Sequence, residues 1–270
     1  MVRVVVAGST GWVGRALVSA ILASEDLKLV GAVSRSAAGR DAGEAIGLKP
    51  VGVIARATLE EALAEPSDVV VDYTKPSAVK AHALTAIAAR RHVVVGTSGL
   101  SAEDYAEIDD AAREKGVGVL AAGNFSITAT LLKRFALEAA RYVPDVEIID
   151  YASAKKPDTP SGTARELAEV LSFVRQEPTS KPVDELSGIH ETRGAAIGLS
   201  TPVQVHSLRL PGFVLSCEAI FGLPDERLVI RHDAGASSAP YVAGTLLAIR
   251  RVNEHVGLRR GLDSLMDEGQ

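Results

Sequence analysis

The segment that decides the fold is Val2-Arg3-Val4-Val5-Val6-Ala7-Gly8-Ser9-Thr10-Gly11-Trp12-Val13-Gly14. Its first six residues predict a buried strand, and three glycines with the spacing G-x-x-G-x-x-G follow directly. A helix is predicted over Val13–Ser24 and a second strand over Leu27–Val33. This arrangement suits a dinucleotide, because glycines let the backbone approach a pyrophosphate and a helix N-terminus supplies N–H groups. The alternative is a glycine-rich turn in an α/β domain that binds no nucleotide.

Short valine-rich runs alternate with alanine-rich helical stretches from the N-terminus to about residue 125. Further strands are predicted over Val69–Asp72, Val93–Val95 and Val117–Ala121, with helices over 76–90 and 101–115. Continuous valine runs are typical of strands that are covered on both faces, and this alternation favours a parallel sheet with right-handed crossovers. The sequence therefore predicts an α/β, Rossmann-type doubly wound domain over residues 1–125.

The second half of the chain has a different pattern. Helices are predicted over Thr128–Tyr142, Thr163–Arg175 and Ser238–Val256, and strands over Val146–Tyr151, Val203–Leu210, Phe213–Phe221 and Arg227–Asp233, with a polar excursion over 176–200. The last three strands are joined by short turns, which suggests a meander in a mixed or antiparallel sheet. We expect an α+β domain over residues 126–238, with residues 239–270 completing the first domain.

Composition excludes several classes of protein. The chain has 29 Lys and Arg against 34 Asp and Glu, a formal net charge of −5, which argues against a nucleic-acid partner. Cys217 is the single cysteine, so no internal disulfide forms, and the six histidines lack metal-ligand spacing. His190 and His206 lie in the second half, where a structural role is the ordinary interpretation. The sequence shows neither a targeting segment nor an apolar run long enough for a membrane span, and we expect a cytoplasmic protein without a metal or membrane partner.

The residues after the second predicted strand indicate the nucleotide preference. An NAD-selective site would place Asp or Glu here to bind the ribose hydroxyls, whereas this chain has Val33-Ser34-Arg35-Ser36. A cation with small hydroxyls favours a 2′-phosphate, so we expect NADPH to be preferred and NADH to be possible. A solvated surface arginine is the alternative interpretation of Arg35.

The most informative segment of the second half is the loop Lys155–Thr163. Its last four residues, Pro160-Ser161-Gly162-Thr163, open a predicted helix, and a helix N-terminus with hydroxyls suits a carboxylate. Lys155 and Lys156 add positive charge, and a lysine can bind a carboxylate or donate a proton. The alternative is an N-capped helix preceded by a solvated basic turn.

Five motifs occur in the order seen in dihydrodipicolinate reductases. They are Gly8–Gly14, Asp41-Ala42-Gly43-Glu44, Gly96-Thr97-Ser98-Gly99, Gly123-Asn124-Phe125-Ser126 and Lys156-x-Asp158-x-Pro160-Ser161-Gly162-Thr163. Over nearly its whole length the chain resembles this family, the 4-hydroxy-tetrahydrodipicolinate reductases of lysine biosynthesis. The resemblance implies hydride transfer from NAD(P)H to a cyclic unsaturated imine dicarboxylate, and a homotetramer formed through the sheet of the second, substrate-binding domain.

The motifs and the resemblance together suggest residue roles. The candidate cofactor residues are Gly8, Thr10, Gly11, Trp12, Val13, Gly14, Ser34, Arg35, Gly96, Thr97, Ser98, Gly123, Asn124 and Phe125. The resemblance implies that Gly96–Ser98 lie along the nicotinamide and that Gly123–Phe125 lie at a hinge beside it. It also implies Lys156 as the catalytic lysine. The candidate substrate-binding residues are Ser153, Ser161, Gly162 and Thr163.

Three departures from the family pattern bear on the substrate and the proton donor. The usual His-His pair is replaced by Ala152 and Ser153, a Gly-x-His element by Leu215-Ser216-Cys217, and a phosphate-loop arginine by Trp12. The acid role is therefore unfilled or moves to Lys156. One alternative is a divergent imine reductase or amine dehydrogenase acting on another small acid. The second is a non-catalytic nucleotide-binding protein, against which the retained Lys156 and Pro-Ser-Gly-Thr element argue.

Overall fold

The computed structural model describes residues 1–188 and 191–266, and the chain divides into two compact units. The first unit comprises Met1–Ile127 together with the segment from Ser238 onward, and the second comprises Thr128–Ser237. The strands are β1 (Val2–Ala7), β2 (Leu27–Val33), β3 (Ala55–Arg56), β4 (Val69–Asp72), β5 (His92–Val95), β6 (Gly118–Ala121), β7 (Asp145–Ala152), β8 (Ala195–Ile197), β9 (Val203–Arg209), β10 (Leu215–Leu223), β11 (Glu226–Ala234) and β12 (Gly257–Arg260). The α-helices are α1 (Trp12–Leu22), α2 (Leu59–Ala62), α3 (Pro76–Ala88), α4 (Ala102–Lys115), α5 (Ile127–Ala139), α6 (Gly162–Val174) and α7 (Ala239–Arg251).

Seven strands of the first unit form one parallel sheet in the order β12-β6-β5-β4-β1-β2-β3. This confirms the predicted Rossmann-type doubly wound sheet. The direction in which the strands are added reverses between β1 and β4, so the carboxyl ends of these two strands flank the switch point. Ligands of open α/β sheets bind at this point.

The valine runs follow from burial on both faces of this sheet. Val4 and Val6 of β1 pack into one apolar cluster, whereas Val5 and Ala7 pack into the other. All four side chains are completely buried. A strand covered on both faces has no solvent side on which polar residues could alternate, which explains its unbroken apolar sequence.

The predicted helix over Ser238–Val256 is present but shorter at its C-terminal end, where Val252–Glu254 forms a 3₁₀ turn. Helix α7 ends at Arg251, and Gly257–Arg260 forms β12, which pairs in parallel with β6 at the edge of the sheet. The sequence of β12 is Gly-Leu-Arg-Arg, which is too short and too polar to be recognised as a strand. It completes the sheet because the turn after α7 packs closely on β6: a Cβ atom at Gly118 would lie 1.9 Å from the carbonyl oxygen of Val252.

The second unit has a five-stranded mixed sheet in the order β11-β10-β7-β9-β8. The predicted meander is wrong for β9 and β10, because β7 lies between them and pairs in parallel with β9 and antiparallel with β10. The connection between β9 and β10, residues 210–214, therefore passes the end of β7 although it is as short as a hairpin loop. The predicted hairpin between β10 and β11 is present.

The two faces of this sheet differ in burial. On β7 the alternate residues Val146, Ile148, Asp150 and Ala152 are buried, and the residues between them are half-buried. The buried face packs against the apolar side chains of α5 and α6. Ser161, the N-cap of α6, is hydrogen-bonded to Asp150 near the carboxyl end of β7. The segment Lys155–Thr163, predicted from the sequence to bind substrate and called the substrate loop below, therefore lies at this end of the strand.

Candidate functional site

The glycines of the loop after β1 are required by close backbone contacts. Gly8 has a φ of +84°, and a Cβ atom there would lie 2.3 Å from the carbonyl oxygen of Tyr73. A Cβ atom at Gly14 would lie 2.0 Å from the carbonyl oxygen of Gly8. Gly11 is the N-cap of α1 and has no side chain that could accept a hydrogen bond from the first helical turn. The loop fits a phosphate, which the exposed N–H groups of a helix N-terminus bind.

Two hydroxyl groups connect this loop with the end of β2. Thr10 Oγ1 lies 2.7 Å from Ser34 Oγ, and Ser34 Oγ lies 3.3 Å from Ser36 Oγ. Arg35 follows Ser34 at the surface and is exposed. Three of the predicted cofactor residues are therefore adjacent, with a cation and hydroxyl groups beside the phosphate loop.

Trp12 is also exposed, with 60% of its surface accessible, and its ring packs edge-on against Tyr241 with the ring centroids 5.6 Å apart.

The loops after β5 and β6 hold the other predicted cofactor residues. Ser98 and Gly123 are exposed, whereas Thr97 is buried and its hydroxyl donates to Asp72. The side chain of Asn124 accepts a hydrogen bond from the backbone N–H of Ser126.

The ring of Phe125 is buried in the core of the first unit and packs edge-on against Tyr73, with the ring centroids 6.1 Å apart. For Phe125, as for Thr97, only the backbone remains available to a ligand.

In the second unit, Asp150 organises the substrate loop from a completely buried position on β7. Its Oδ1 accepts from the hydroxyl of Ser161 at 2.7 Å, and its Oδ2 accepts from the Ser161 N–H at 2.8 Å. Arg209 Nη2 donates to Asp150 Oδ2 at 2.7 Å and to the carbonyl oxygen of Asp158 at 2.8 Å. Ser207 completes the group with a bond of 3.2 Å. The carboxylate thus fixes the position at which α6 begins.

Helix α6 begins at Gly162 with Ser161 as its N-cap, and the Ser161 hydroxyl accepts from the N–H of Ala164. The side chain of Ser161 is buried, so it shapes the helix terminus and leaves the backbone of Gly162 and Thr163 as the candidate binding surface. A Cβ atom at Gly162 would contact nothing within 4 Å, and the space above this residue is open. The arrangement suits a small carboxylate.

Lys156 lies in the same loop, and its Nζ is 2.8 Å from Asp158 Oδ1. Burial tends to raise the pKa of Asp158, but the hydrogen bond from Lys156 keeps it below its ordinary value. The Lys156 N–H donates to the carbonyl oxygen of Ser153 at 2.9 Å. The loop therefore brings Ser153, Lys156, Gly162 and Thr163 into one short segment of the second unit.

The residues that sequence reasoning missed are Arg209, Ser207 and Asp150. Asp150 stands in the quoted segment as an acidic residue at the end of a strand, which was a usable signal. Arg209 and Ser207 lie on β9, more than 50 residues away along the chain. Nothing local marks them, because their role depends on the parallel pairing of β9 with β7.

Cys217 lies opposite Asp150 in the sheet, and His206 is paired with a carboxylate. Cys217 is buried, and burial raises the pKa of its thiol to about 12. His206 Nε2 lies 2.7 Å from Glu147 Oε2, on the face of the sheet opposite to Asp150. His190 lies outside the described residues.

Within residues 1–188 and 191–266, no group of three or more His, Cys, Asp or Glu side chains could hold a metal ion. Over the same residues, no helix is long and apolar enough to cross a membrane.

A Rossmann-type unit with a glycine-rich loop after its first strand, in one chain with a mixed-sheet unit, is typical of an oxidoreductase that uses a pyridine nucleotide. Comparison with known sequences gives the family. Residues 2–125 match the family described as Dihydrodipicolinate reductase, N-terminus, and residues 128–266 match Dihydrodipicolinate reductase, C-terminus. The chain belongs to the dihydrodipicolinate reductase family of NAD(P)H-dependent oxidoreductases in lysine biosynthesis.

The relatives match over their full length. The 4-hydroxy-tetrahydrodipicolinate reductase of Desulfitobacterium hafniense (strain DSM 10664 / DCB-2) is 40% identical over 268 residues, which cover 98% of this chain and 99% of the relative. The enzyme of the same name from Synechococcus elongatus is 40% identical over 272 residues, covering 98% of each chain. The dipicolinate-bound dihydrodipicolinate reductase from Paenisporosarcina sp. TG-14 is 29% identical, with a TM-score of 0.83 and 98% and 99% coverage.

Proposed function

We propose that this chain is an NADPH-preferring 4-hydroxy-tetrahydrodipicolinate reductase in which Lys156 supplies the proton. The single observation that carries the proposal is the substrate loop, where Asp150 fixes the N-terminus of α6 and Lys156 lies six residues before Gly162. The names of the relatives, which cover the whole chain, support the same reaction.

The first unit fits the nucleotide. A Cβ atom at Gly8 or Gly14 would clash with a neighbouring carbonyl oxygen, so the loop keeps its tight backbone only with glycine there, and α1 begins directly after it. We assign the phosphates to this loop and the 2′-phosphate to Ser34 and Arg35, because a guanidinium binds phosphate strongly. The bound nucleotide supplies a hydride.

The second unit fits the substrate. The exposed backbone of Gly162 and the adjacent Thr163 would bind one carboxylate, and the positive end of the helix would favour its charge. The Paenisporosarcina relative was solved with dipicolinate, a planar ring that carries two carboxylates. A ligand of this shape is compatible with the open space above Gly162.

Lys156 takes the proton-transfer role in this proposal because the family's histidine positions are unsuited to it. Ala152 is completely buried on the helix-covered face of β7, and Ser153 is a weak acid. The Lys156 side chain is a hydrogen-bond donor, and the carboxylate of Asp158 holds its Nζ within the loop. The lysine would donate to the ring nitrogen side of the substrate as the adjacent carbon is reduced.

Consumption of NADPH, followed by its absorbance, tests the proposal. The substrate is formed freshly from pyruvate and aspartate semialdehyde by the preceding synthase. Turnover that depends on both the synthase and this protein supports the proposal. Absence of turnover with tight NADPH binding would instead support the second candidate, a reductase of another small cyclic imino acid, which the replacement of the histidine pair by Ala152 and Ser153 favours.

We also infer that the protein is a cytoplasmic homotetramer. The half-buried face of the five-stranded sheet carries Val229 of β11, which is 50% exposed and pairs with Ile220 of β10. Val229 and Ile220 form an apolar pair on a face that also carries Glu218 and Arg231, and such a mixed face is suited to contact with another subunit. Light scattering on Val229→Asp, which should form smaller species than the wild type, tests this inference.

A further inference from the structure

Strand β4 ends in a buried carboxylate that the roles above leave unexplained. Asp72 is completely buried, and its Oδ1 accepts from Thr97 Oγ1 at 2.6 Å and from Thr74 Oγ1 at 2.8 Å. The Thr74 N–H also donates to Oδ1 at 3.0 Å. On the other side, His82 Nδ1 lies 2.7 Å from Oδ2. The carboxylate of Asp72 therefore accepts hydrogen bonds from three elements: the turn after β4, helix α3 and the loop after β5.

Asp72 is a charged acceptor in this cluster. Burial tends to raise its pKa, but the hydrogen bonds from His82, Thr97 and Thr74 outweigh burial and hold the pKa below the ordinary value. An ionised carboxylate only accepts hydrogen bonds, so Nδ1 of His82 carries the proton and donates it. The bonds to this carboxylate are charge-assisted and stronger than bonds between neutral groups.

The turn that Asp72 holds is in contact with two of the candidate cofactor loops. A Cβ atom at Gly8 would lie 2.3 Å from the carbonyl oxygen of Tyr73, and one at Gly96 would lie 2.2 Å from the Tyr73 ring. Tyr73 is itself held, because its hydroxyl lies 2.7 Å from Thr245 Oγ1 on α7. The Tyr73-Thr74 turn therefore separates the phosphate loop from the loop after β5, at the switch point of the sheet.

We propose that Asp72, oriented by His82, is a positioning residue that sets the Gly96–Ser98 loop relative to the Gly8–Gly14 loop. The inference rests on the proposed function in so far as these two loops hold the nucleotide. Because the Thr97 hydroxyl is committed to Asp72, the loop after β5 presents its backbone to the ligand at this residue. Neither Asp72 nor His82 touches the reacting atoms in this account. Their effect is on loop geometry.

Amide hydrogen exchange of the nucleotide-free protein tests the proposal directly. Asp72→Asn should raise exchange in the segments 73–75 and 96–99 about tenfold, because the amide cannot accept from all the donors at once. The matched control is Asp68→Asn, since Asp68 lies just before the same strand and binds Arg3 instead. Unchanged exchange in Asp72→Asn, or an equal rise at these segments in the control, would overturn the proposal.

A second pair of variants tests His82 without removing the carboxylate. In His82→Asn the amide nitrogen takes the place of Nδ1 and can donate to Asp72, whereas His82→Leu has no donor. We expect His82→Leu to lower kcat about tenfold while the Kd for NADPH changes less than threefold, and His82→Asn to recover most of kcat. Equal loss in both variants, or a loss confined to NADPH binding, would contradict the positioning role.

The two proposals fail in different ways. The exchange experiment needs neither substrate nor turnover, so it decides the role of Asp72 by itself. Wild-type protein that binds NADPH without reducing the proposed dicarboxylate would contradict the proposed function alone. If Asp72→Asn does not fold, amide exchange in segment 96–99 is compared between His82→Leu and Asp68→Asn. Faster exchange in His82→Leu than in Asp68→Asn supports the positioning role, and equal exchange contradicts it.

Discussion

The guanidinium of Arg209 lies 2.7 Å from the buried carboxylate of Asp150 and donates at the same time to the carbonyl oxygen of Asp158. This pair connects β9 to β7 and to the loop that contains Lys156. Arg209 keeps only 15% of its side chain exposed, so both charges are largely removed from water. Such a pair specifies geometry, and the loss of one partner leaves an uncompensated buried charge.

Arg209→Met should lower the free energy of unfolding by about 3–5 kcal/mol, because Asp150 then has no cation partner. Urea unfolding of the nucleotide-free protein measures this loss.

Ser161→Ala removes an N-cap and a hydrogen bond to Asp150, and should cost about 0.5–2 kcal/mol while raising KM for the dicarboxylate. A Ser161→Ala enzyme with unchanged KM would show that the terminus of α6 does not bind substrate.

Arg35→Ala should raise KM for NADPH about 10–100-fold and leave KM for NADH nearly unchanged, because the guanidinium contacts only the 2′-phosphate in this account. Steady-state kinetics with each nucleotide checks this prediction. The control is Lys28→Ala, an exposed cation near the other end of the same strand. Parallel effects on both nucleotides would contradict the assignment of Arg35.

Asp72 should make the stability of the first unit depend on acid pH. Its folded-state pKa lies below the ordinary value of about 4, so its stabilising contribution is present above that value and is lost as the pH falls through the folded pKa. Wild-type protein and Asp72→Asn should therefore differ in unfolding free energy at neutral pH, and this difference should shrink as the pH falls below about 4 toward the folded pKa. A difference that stays constant down to the lowest pH would contradict an ionised Asp72.

Ala152 and Ser153, which replace the family's two histidines, differ in how well they can accommodate a larger side chain. Ala152 is completely buried, so Ala152→His should overpack its surroundings and cost about 1–3 kcal/mol. Ser153 is half-buried in the loop, and Ser153→His should fold normally. A gain in turnover of Ser153→His with the proposed dicarboxylate would indicate a diverged lysine-pathway enzyme. Thermal unfolding of both variants checks the stability half of the prediction.

Much of the fold was predictable because local patterns carry it. The buried valine runs gave β1, β2 and β4 with their bounds, and the glycine spacing marked the switch point. The pairing of β9 with β7 was not predictable, since a five-residue connection looks the same whether it joins neighbouring strands or passes a third one. Strand β12 was missed because Gly257–Arg260 has no apolar run.

Some residues of the candidate site could likewise be predicted from the sequence, and others could not. Gly162, Thr163 and Lys156 stand in one contiguous motif that sequence reasoning could find. Arg209 is recruited through strand pairing, and no local pattern marks it. The sequence also does not show which way a side chain points. Phe125 and Thr97 belong to recognisable motifs, but their side chains are buried.

We propose that this chain reduces a cyclic imine dicarboxylate with NADPH and that Lys156 supplies the proton. The most direct measurement compares wild type, Lys156→Met and the exposed-lysine control Lys181→Ala in the synthase-coupled assay, with NADPH affinity measured in parallel. We expect rapid NADPH oxidation by wild type and the control, and a loss of about 10²–10⁴-fold in kcat for Lys156→Met at unchanged NADPH affinity. Undiminished turnover of Lys156→Met would contradict the assigned role, and absence of turnover by wild type would contradict the substrate.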